Sequence, residues 1–420
     1  MKAEQKFTRR QAAELGTVLS RIPPEVKFYP QRSVTVALPL RDFNKRGWFA
    51  PVPPVWRGLD APLRRRVFAL IPAYNEQTSI ADTVRCLRAQ DVRPDRIITI
   101  PNNCTDSTEI QSGRSGAEVC VIPRVDTLKA GALNQVLALI MPDMAPTDLV
   151  LVMDADTAIT PNFIAKAVAA FDEDTRLGGV SGAYEAKPGG GWPGFCQRNE
   201  YARWGFDVRQ QSGKAICLSG AASVYTVAAL RKVVAARASG KLHGPPAVYD
   251  TSNFTEDFEL TQAIKHTGST VRNLMGVSIA TEPKPTWSAL HTQRRRWNRG
   301  ITETLLSYGW TRFTWAMWLR WILYTVNLAA VLMSLFLLSY RITSGEGFHL
   351  DAWMAVWIGA TAVLMLHKSI TVSGSRGIWP ALAALILIIE MPYDLFLHIT
   401  FIRSLWDVAA GTSKKWRDAV

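Results

Sequence analysis

The 420-residue chain has few cysteines and no close cysteine pair. Its five cysteines are scattered and lack metal-ligand spacing (Cys86, Cys104, Cys120, Cys196, Cys217). An odd, dispersed set argues for a reducing compartment and against a disulfide framework. The N-terminal residues carry charges but no apolar run follows them, so we expect no cleaved secretory signal. No known nucleic-acid motif is present, and no nucleic-acid partner is expected.

Acidic residues are fewer than basic ones. Lysine and arginine total 48 against 35 aspartates and glutamates, a formal net charge of +13. This charge suits nucleic acid, anionic lipid headgroups or phosphorylated substrates about equally, so charge alone does not select a partner. The length allows one large soluble domain together with a second part.

The most informative stretch runs from Leu149 to Asp156. Its apolar residues predict a buried strand, and Asp154 and Asp156 follow where that strand should end. In open α/β sheets, ligands bind beyond the carboxyl ends of the strands, so both carboxylates should face such a crevice. Two carboxylates there can hold a hard divalent cation, which usually also takes water and substrate phosphates. A nucleotide diphosphate is therefore the first ligand expected, although Asp-x-Asp also occurs as ordinary turn chemistry.

Strands and helices alternate ahead of this stretch. Strands are predicted over residues 67–72, 96–100 and 118–122, and helices over 77–87 and 129–140. This alternation implies right-handed crossovers and an α/β fold whose sheet is mostly parallel, with flanking helices. The loops after the first two strands should then face the same crevice as Asp154.

Six short motifs occur in order between residues 66 and 300. They are Pro72-Ala73-Tyr74-Asn75-Glu76, Asn103-Cys104-Thr105-Asp106, Lys129-Ala130-Gly131-Ala132-Leu133-Asn134, Asp154-Ala155-Asp156, Thr255-Glu256-Asp257 and Gln293-Arg294-Arg295-Arg296-Trp297. Together they resemble the family 2 inverting glycosyltransferases, above all the membrane-bound synthases of hyaluronan, cellulose, chitin oligosaccharides and poly-N-acetylglucosamine. The resemblance implies a GT-A nucleotide-sugar-binding fold followed by a C-terminal helical membrane domain.

The resemblance also implies which residues contact the nucleotide-sugar donor. These are Ala73, Tyr74, Glu76, Asn102, Lys129 and Asp154. Asn102 stands where the family usually has an acid that accepts a hydrogen bond from uracil N3–H. An amide oxygen can accept this bond without charge assistance, so a UDP-sugar is expected while the base stays open. Lys129 could instead be a solvated lysine at a helix start.

For catalysis, the resemblance implies a metal site and a base. Asp154 and Asp156 would hold Mg²⁺ or Mn²⁺, and Asp257 would be the base, with Glu256 supporting the site. Inversion at an anomeric carbon needs a base for the attacking hydroxyl, while cations stabilise the departing diphosphate. The alternative for residues 255–257 is a capping cluster that begins a helix over residues 258–266.

Acceptor or product contacts are implied for Gln293, Arg296 and Trp297. An indole can stack on a sugar ring, and an arginine fork can clasp a diphosphate. A juxtamembrane basic cluster with an interfacial tryptophan has the same composition, and both descriptions can hold at once. Further acceptor candidates are Gly220, in a passage of small residues, and four side chains of a helix predicted over residues 195–210 (Arg198, Glu200, Tyr201, Trp204). An ordinary amphipathic helix explains those four almost as well.

Long apolar runs occur near the C-terminus. Residues 321–340 carry no charge and are long enough to span a bilayer, and residues 352–367 could span if Lys368 snorkels. A third run, over residues 377–402, is interrupted by Glu390, Pro392 and Asp394, so it could cross, re-enter or lie in plane. Residues 301–320 are predicted to form a helix at the headgroup boundary.

Charge placement predicts the orientation. Six arginines precede the first run and favour a cytoplasmic soluble domain (Arg294, Arg295, Arg296, Arg299, Arg312, Arg320). Lys414, Lys415 and Arg417 also favour the cytoplasm, yet three full crossings would leave them outside. We therefore predict a multi-pass protein of the plasma (inner) membrane. Its parts are a lead-in (1–65), a catalytic domain (66–290), interfacial helices (291–320) and a membrane region with a basic tail (321–420).

These expectations converge on a metal-dependent inverting glycosyltransferase that extends a β-linked polysaccharide at the lipid bilayer. One alternative is a transferase that adds a single sugar to a lipid carrier or glycolipid. Three or fewer spans are few for a polymer conduit unless the protein forms a homo-oligomer. A second alternative is a membrane-anchored binding protein with a degenerate catalytic domain. The sugar itself is not readable from these motifs.

Overall fold

The computed structural model describes residues 27–29, 64–122, 128–345 and 352–412. By its contacts the chain divides into two compact units, the first formed by residues up to 183 and 213–281, the second by residues 184–212 and those from 282 onward. Apart from residues 27–29, 64 and 65, the predicted lead-in (residues 1–65) lies outside the described residues.

Within the described residues, the first unit is built on a sheet of nine strands. Its strands are β1 (Lys27–Tyr29), β2 (Val67–Ala73), β3 (Arg96–Pro101), β4 (Glu118–Val121), β5 (Leu149–Met153), β6 (Ala158–Ile159), β7 (Leu177–Ala186), β8 (Ala222–Thr226) and β9 (Thr270–Thr281). Its helices are α1 (Ile80–Arg88), α2 (Thr108–Arg114), α3 (Leu128–Ile140), α4 (Phe163–Glu173), α6 (Val227–Ala238) and α7 (Glu256–His266). The predicted strands and helices of this region are therefore present, with ends shifted by a few residues.

The expectation of a mostly parallel sheet is wrong for half of it. The strand order is β1-β4-β3-β2-β5-β8-β7-β9-β6. The block β4-β3-β2-β5 is parallel, but β8 pairs antiparallel with both β5 and β7, and β6 pairs antiparallel with β9. The sheet is mixed because helical crossovers connect the strands of the parallel block, whereas β8 returns beside β5 in the opposite direction. This return brings residue 221 beside residue 154.

The core of the first unit explains why its central strands are apolar throughout. All seven residues of β2 and all five of β5 are buried. Leu133, Val136 and Leu137 of α3 pack into the same core. Strands of a parallel block covered on both faces have no solvent face that would require polar residues. Polar side chains consequently begin only where each strand ends.

The second unit is helical. Its helices are α5 (Gly191–Gln210), α8 (Trp287–Tyr308), α9 (Trp315–Ser344), α10 (Ala352–Arg376), α11 (Ile378–Ala384) and α12 (Leu387–Ala409). Two of these, α9 and α10, are long and apolar enough to span a membrane. Only 6% of the most apolar window of α9 and 22% of that of α10 are buried. Both helices thus present apolar side chains outward, unlike the core helices of a soluble protein.

The single helix predicted over residues 301–320 is wrong. Helix α8 ends at Tyr308, and Gly309 follows it with a φ of +66°. The hydroxyl of Thr314 and the indole of Trp318 both donate to the carbonyl of Gly309, at 2.6 and 3.1 Å. Glycine adopts positive φ without a steric penalty, so the chain turns here and starts α9 at Trp315.

The third apolar run is also organised differently from the prediction. The break falls at residues 385–386, between α11 and α12, and α12 continues through Pro392 and Asp394. Asp394 accepts from Lys368 of α10 at 2.5 Å, so Lys368 pairs within the protein instead of snorkelling alone. A paired charge costs less to bury than an isolated one.

Candidate active site

Two loops at the carboxyl edge of the parallel block hold one another in place. Asn75 follows β2 and Asn103 follows β3, and both are left-handed, with φ of 54° and 55°. The Asn75 side-chain oxygen accepts from the backbone N–H of Thr105 at 2.8 Å. The backbone N–H of Glu76 donates to the Thr108 hydroxyl at 2.7 Å. Each loop is therefore fixed by the other before any ligand binds.

The predicted donor-contact residues of these loops differ in exposure. Ala73 ends β2 in a buried position, and its carbonyl accepts from the backbone N–H of Asn102 at 3.0 Å. Asn102 is 3% exposed and Glu76 is half-buried, with its carboxylate bonded by the Ser79 hydroxyl. Tyr74 is exposed. The loops thus present an exposed aromatic side chain, Tyr74, together with the buried amide of Asn102 and the half-buried carboxylate of Glu76.

Asp154 and Asp156 stand at the tip of β5, as predicted. The backbone N–H of Asp154 donates to the Ala221 carbonyl at 2.8 Å, and the Thr83 hydroxyl donates to the Ala155 carbonyl at 2.6 Å. Asp156 accepts from the Thr157 hydroxyl at 3.2 Å. Both carboxylates are partly exposed. The backbone between them is thus held from two sides while the acids face outward.

Lys129 links the tip of β5 to the start of α7. Its ammonium donates to Asp154 at 2.6 Å and to the Gly220 carbonyl at 2.9 Å, and lies 3.4 Å from Glu256. Burial alone would lower the pKa of Lys129, but Asp154 and then Glu256 outweigh it and raise the pKa. Lys129 therefore stays charged, and the solvated-lysine alternative does not describe it.

Asp257 occupies the first turn of α7, which begins at Glu256, two residues earlier than the predicted helix over residues 258–266. It accepts from the backbone N–H of Phe258 at 2.8 Å, which ties the carboxylate to the helix start. Burial, followed by the charge of Glu256, raises the pKa of Asp257 to about 6, although Lys129 acts in the opposite direction. A carboxylate tuned toward neutral pH is a better base than an ordinary aspartate.

Gly220 lies directly against Asp257. A Cβ atom on Gly220 would be 2.7 Å from Oδ2 and 3.1 Å from Cγ of that carboxyl. Real Cβ atoms do not approach so closely, so any side chain here would push Asp257 away. The absence of a side chain at Gly220 is thus explained by the carboxyl it accommodates.

These groups share one small pocket in the first unit. It is lined by Lys129, Val152, Ser219, Gly220, Ser223, Tyr225, Tyr249, Glu256 and Asp257. Three polar residues predicted from two separate motifs, Lys129 from one and Glu256 and Asp257 from the other, therefore converge on it. A pocket that joins titratable groups with perturbed pKa, here Lys129 and Asp257, is typical of active sites.

Tyr249 is a pocket residue that the sequence motifs missed. The side-chain amide of Asn134 donates to the Tyr249 carbonyl and accepts from its N–H, both at 2.9 Å. This two-point clamp joins α3 to the loop before α7. Burial raises the pKa of the Tyr249 phenol well above its ordinary value, so the phenol stays protonated. The one hint in the sequence is that Asn134 belongs to the Lys129 to Asn134 motif.

The acids at the tip of β5 fit a divalent cation. Their donor atoms are carboxylate oxygens, the ligands that Mg²⁺ and Mn²⁺ accept. Across the described residues, no three histidine, cysteine, aspartate or glutamate side chains form a ready-made ligand cage. Magnesium sites with one or two carboxylates are completed by substrate phosphates and water. Asp154 and Asp156 thus suit a cation that binds together with a phosphorylated donor.

The Gln293 to Trp297 motif lies on α8 in the second unit. Arg294 is buried and donates to Glu200 at 2.7 Å, and the Tyr393 hydroxyl donates to the same carboxylate at 2.6 Å. The Arg294 guanidinium lies 4.3 Å from the ring centroid of Trp297. Gln293, Arg296 and Trp297 are themselves half-buried. Glu200 is therefore occupied in packing, and the arginine that contacts Trp297 is Arg294.

Trp297 belongs to a group of aromatic rings within the second unit. Its ring centroid is 6.3 Å from that of Trp204, which stacks on Tyr201 at 5.1 Å and lies 6.2 Å from Tyr184. Such ring contacts contribute about 0.5–1.5 kcal/mol each beyond the buried area. Tyr184, Trp204 and Trp297 are partly exposed, whereas Tyr201 is buried.

The comparison with protein families agrees with this site. A sequence model described as glycosyltransferase like family 2 matches residues 64–300. The match covers more than half of the chain and includes all six motifs. The protein therefore belongs to glycosyltransferase family 2, with a mixed α/β sheet of GT-A-like fold, and is a glycosyltransferase.

Curated relatives include polysaccharide synthases. The chain is 25% identical over 248 residues to the poly-beta-1,6-N-acetyl-D-glucosamine synthase of Staphylococcus aureus (strain COL), covering 56% of this chain and 55% of the relative. It is 25% identical over 256 residues to the synthase of that name from Staphylococcus epidermidis, covering 58% and 56%. The chain thus spans about half the length of these relatives.

Similar solved structures are also glycosyltransferases. A mannosyltransferase from Pyrobaculum calidifontis in complex with GDP-Man and Mn²⁺ is 16% identical, with a TM-score of 0.47, covering 84% of this chain and 91% of that one. Glucosyl-3-phosphoglycerate synthase from Mycobacterium tuberculosis, in complex with Mn²⁺, UDP and phosphoglyceric acid, is 19% identical with a TM-score of 0.37, covering 58% and 78%. TM-scores this low do not by themselves establish a common fold.

Substituting Gly220 should impair catalysis more than folding. Gly220→Ala forces the Asp257 carboxyl to move, and a displacement of about 1 Å can cost about 100-fold in rate. We expect kcat to fall by about 10- to 100-fold while nucleotide affinity changes little. Steady-state kinetics and nucleotide titration measure the two effects.

The matched control is Gly113→Ala, in helix α2. There the nearest atom to an added Cβ is Val119 Cγ2 at 4.0 Å, an ordinary contact. This control should keep full activity. If Gly220→Ala also kept full activity, catalysis would not depend on the position of the Asp257 carboxyl.

Proposed function

We propose that the protein is a membrane-bound, metal-dependent inverting glycosyltransferase that moves sugars from a UDP-sugar onto the growing end of a β-linked polysaccharide. One observation carries the proposal: Asp257 sits against Gly220 in a pocket that it shares with the Lys129–Glu256 pair. Family membership supports the reaction class. The printed name of the staphylococcal relatives supports a polymer as the product.

Asp257 is the proposed base. Its carboxylate takes the proton of the acceptor hydroxyl as that oxygen bonds to the anomeric carbon. The bond from this carbon to the phosphate oxygen breaks, and the nucleoside diphosphate leaves with the electron pair. A pKa near 6 lets Asp257 be ionised at neutral pH and still accept a proton. Glu256 supports the site by holding Lys129.

The donor is proposed to bind along the carboxyl edge of the parallel block. Ala73, Tyr74, Glu76 and Asn102 would contact its base and ribose, and the ammonium of Lys129 would face its diphosphate. A fixed cation beside the departing phosphate stabilises the charge that develops there. Because the two loops are already bonded to each other, donor binding orders little additional backbone.

Asp154 and Asp156 are proposed to hold the Mg²⁺ or Mn²⁺ ion. A bound cation would neutralise charge on the leaving diphosphate. Asp154 would also orient Lys129 through their 2.6 Å contact. Gln293, Arg296 and Trp297 are proposed to contact the acceptor, with Arg294 fixing the ring of Trp297.

The membrane assignment rests on α9 and α10, the two helices that could span a bilayer. Several arginines precede α9 in the sequence, so the positive-inside rule predicts a cytoplasmic catalytic domain at the plasma membrane. Nucleotide sugars made in the cytosol would then reach the donor pocket directly.

A second candidate is a transferase that adds one sugar to a lipid carrier or glycolipid. The specific observation favouring it is that only α9 and α10, among the described helices, have the length and hydropathy of membrane spans. Two spans cannot enclose a polymer channel within one protomer. Polymer export would then require that protomers associate into a homo-oligomer.

Removing Asp156 should abolish metal-dependent turnover. Asp156→Ala deletes one of two proposed cation ligands, so we expect loss of activity and loss of the divalent-ion dependence of UDP binding. Isothermal titration of UDP with and without Mn²⁺ measures the second effect without turnover. The control Asp82→Ala removes an exposed acid paired only along its own helix. Mn²⁺-dependent activity retained in Asp156→Ala would refute the metal assignment.

Product length separates the two candidate functions. Purified protein in detergent is incubated with a panel of radiolabelled nucleotide sugars, and products are sized by mass. The proposal predicts long polymer from one of them and none from Asp257→Asn. A product one sugar long on a lipid would instead establish the second candidate. Turnover undiminished in Asp257→Asn would remove the proposed base.

A further inference from the structure

Helix α12 runs beside α8 in the same direction. His291 of α8 hydrogen-bonds to the Thr400 hydroxyl at 2.9 Å, and further along Arg295 forms an ion pair with Asp407. Beyond the end of α12, the Arg299 guanidinium donates to the carbonyl of Thr412 at 2.7 Å. These contacts advance together along both helices, so α8 and α12 run parallel, and the rings of Trp287 and Phe396 meet at 5.0 Å ahead of them. Helix α12 is thus held to α8 by aromatic contacts near the start of α8 and by polar and charged contacts further along.

The opposite face of α12 is apolar and exposed. Residues turned inward are buried, among them Tyr393, Phe401 and Ser404. Its exposed large apolar side chains are Met391, Leu395, Ile399, Ile402 and Trp406, and Arg403 is exposed beside them. The preceding helix, α11, also exposes Ile378, Trp379 and Leu382. An exposed apolar helix face of this kind marks a contact with a partner or with lipid.

In the part of the chain that the structure describes, helix α12 contacts α9 near its start and α10 in its later part. Its His398 stacks on Tyr324 at 4.3 Å and its Phe401 meets Trp321 at 5.4 Å, both early in α9. Its Asp394 pairs with Lys368, late in α10.

Burial in the two apolar helices follows the same division. The buried residue of α9 is Leu328, and those of α10 are Met365, Ser369, Thr371 and Val372. Large apolar side chains of the remaining halves are exposed, such as Phe336, Ile342 and Val356. A helix that crossed the bilayer beside them would cover both halves. Among the described residues, the side-chain contacts of α12 lie where α9 begins and α10 ends, although Ile322, Leu323 and Ile370 stay exposed there too.

On the proposed membrane location, we infer that α11 and α12 do not cross the bilayer but lie in its interface, on the side where α8 is found, with the apolar surface of α12 against lipid. An amphipathic helix continuous with two spans meets the headgroup boundary directly. Ion pairs such as Arg295–Asp407 are far less costly at that depth than at the bilayer centre. Trp379 and Trp406 carry the indoles that favour this boundary.

This topology removes the conflict over the basic tail. The chain enters the membrane at α9 and returns through α10, so residues after α12 stay on the side of entry. Lys414, Lys415 and Arg417 then lie on the cytoplasmic side, as the positive-inside rule requires. Three crossings would place them outside.

Site-specific labelling of the full-length protein tests the inference. Ala410→Cys follows α12, and Ser344→Cys ends α9, both at exposed positions. Inside-out and right-side-out vesicles are treated with a membrane-impermeant maleimide, and peptide mass mapping locates each label. Native Cys86, in the catalytic domain, is the internal reference for the cytoplasmic side.

We expect the maleimide to label both Ala410→Cys and the native Cys86 in inside-out vesicles. In right-side-out vesicles neither cysteine should be labelled. Ser344→Cys should show the reverse. Labelling of Ala410→Cys together with Ser344→Cys in right-side-out vesicles would mean that α12 crosses, and would overturn the inference alone. Release of the protein by alkaline washing would instead overturn the membrane location on which the inference rests.

Discussion

The contact between Lys129 and Asp154 is the constraint on which the rest of the site depends. One ammonium group neutralises the acid at the tip of β5, satisfies the carbonyl of Gly220 and attracts Glu256 at the start of α7. Without it, the acids at 154, 256 and 257 would repel one another in a poorly solvated pocket. The lysine therefore allows two acidic motifs to coexist, and it favours the ionised form of Asp257 against burial and the charge of Glu256, which raise the pKa of that carboxyl.

In the second unit, a buried arginine likewise neutralises a buried acid. Arg294 and Glu200 are both nearly inaccessible, and the Tyr393 hydroxyl completes the cluster. Removing one member of such a cluster typically costs about 3–5 kcal/mol because a buried charge loses its partner. The cluster fixes Trp297 through the guanidinium above its ring. Of the motif's arginines, Arg294 and Arg295 thus serve packing, and Arg296 remains the candidate for contact with the acceptor.

Much of the fold was predictable because its signals are local. The apolar runs of β2 and β5 mark strands buried on both faces, and the acids that follow mark their ends. The antiparallel return of β8 was not predictable, because strand direction depends on pairing between residues far apart, and it is this return that brings Gly220 to Asp257. Tyr249 was missed for the same reason, since its clamp by Asn134 spans 115 residues. The prediction of one helix over residues 301–320 was wrong because it followed the aromatic pattern, whereas the chain turns at Gly309, which has a positive φ.

The most direct test of the Lys129 account is the pH dependence of kcat/KM. Asp257 must be ionised to act as a base, so activity should rise with pH through an apparent pKa near 6. Lys129 favours the ionised form, and replacing it by methionine removes that attraction. The account predicts that the acidic limb of Lys129→Met moves to higher pH, while Lys129→Arg stays close to the wild type. An acidic limb unchanged in Lys129→Met would contradict it.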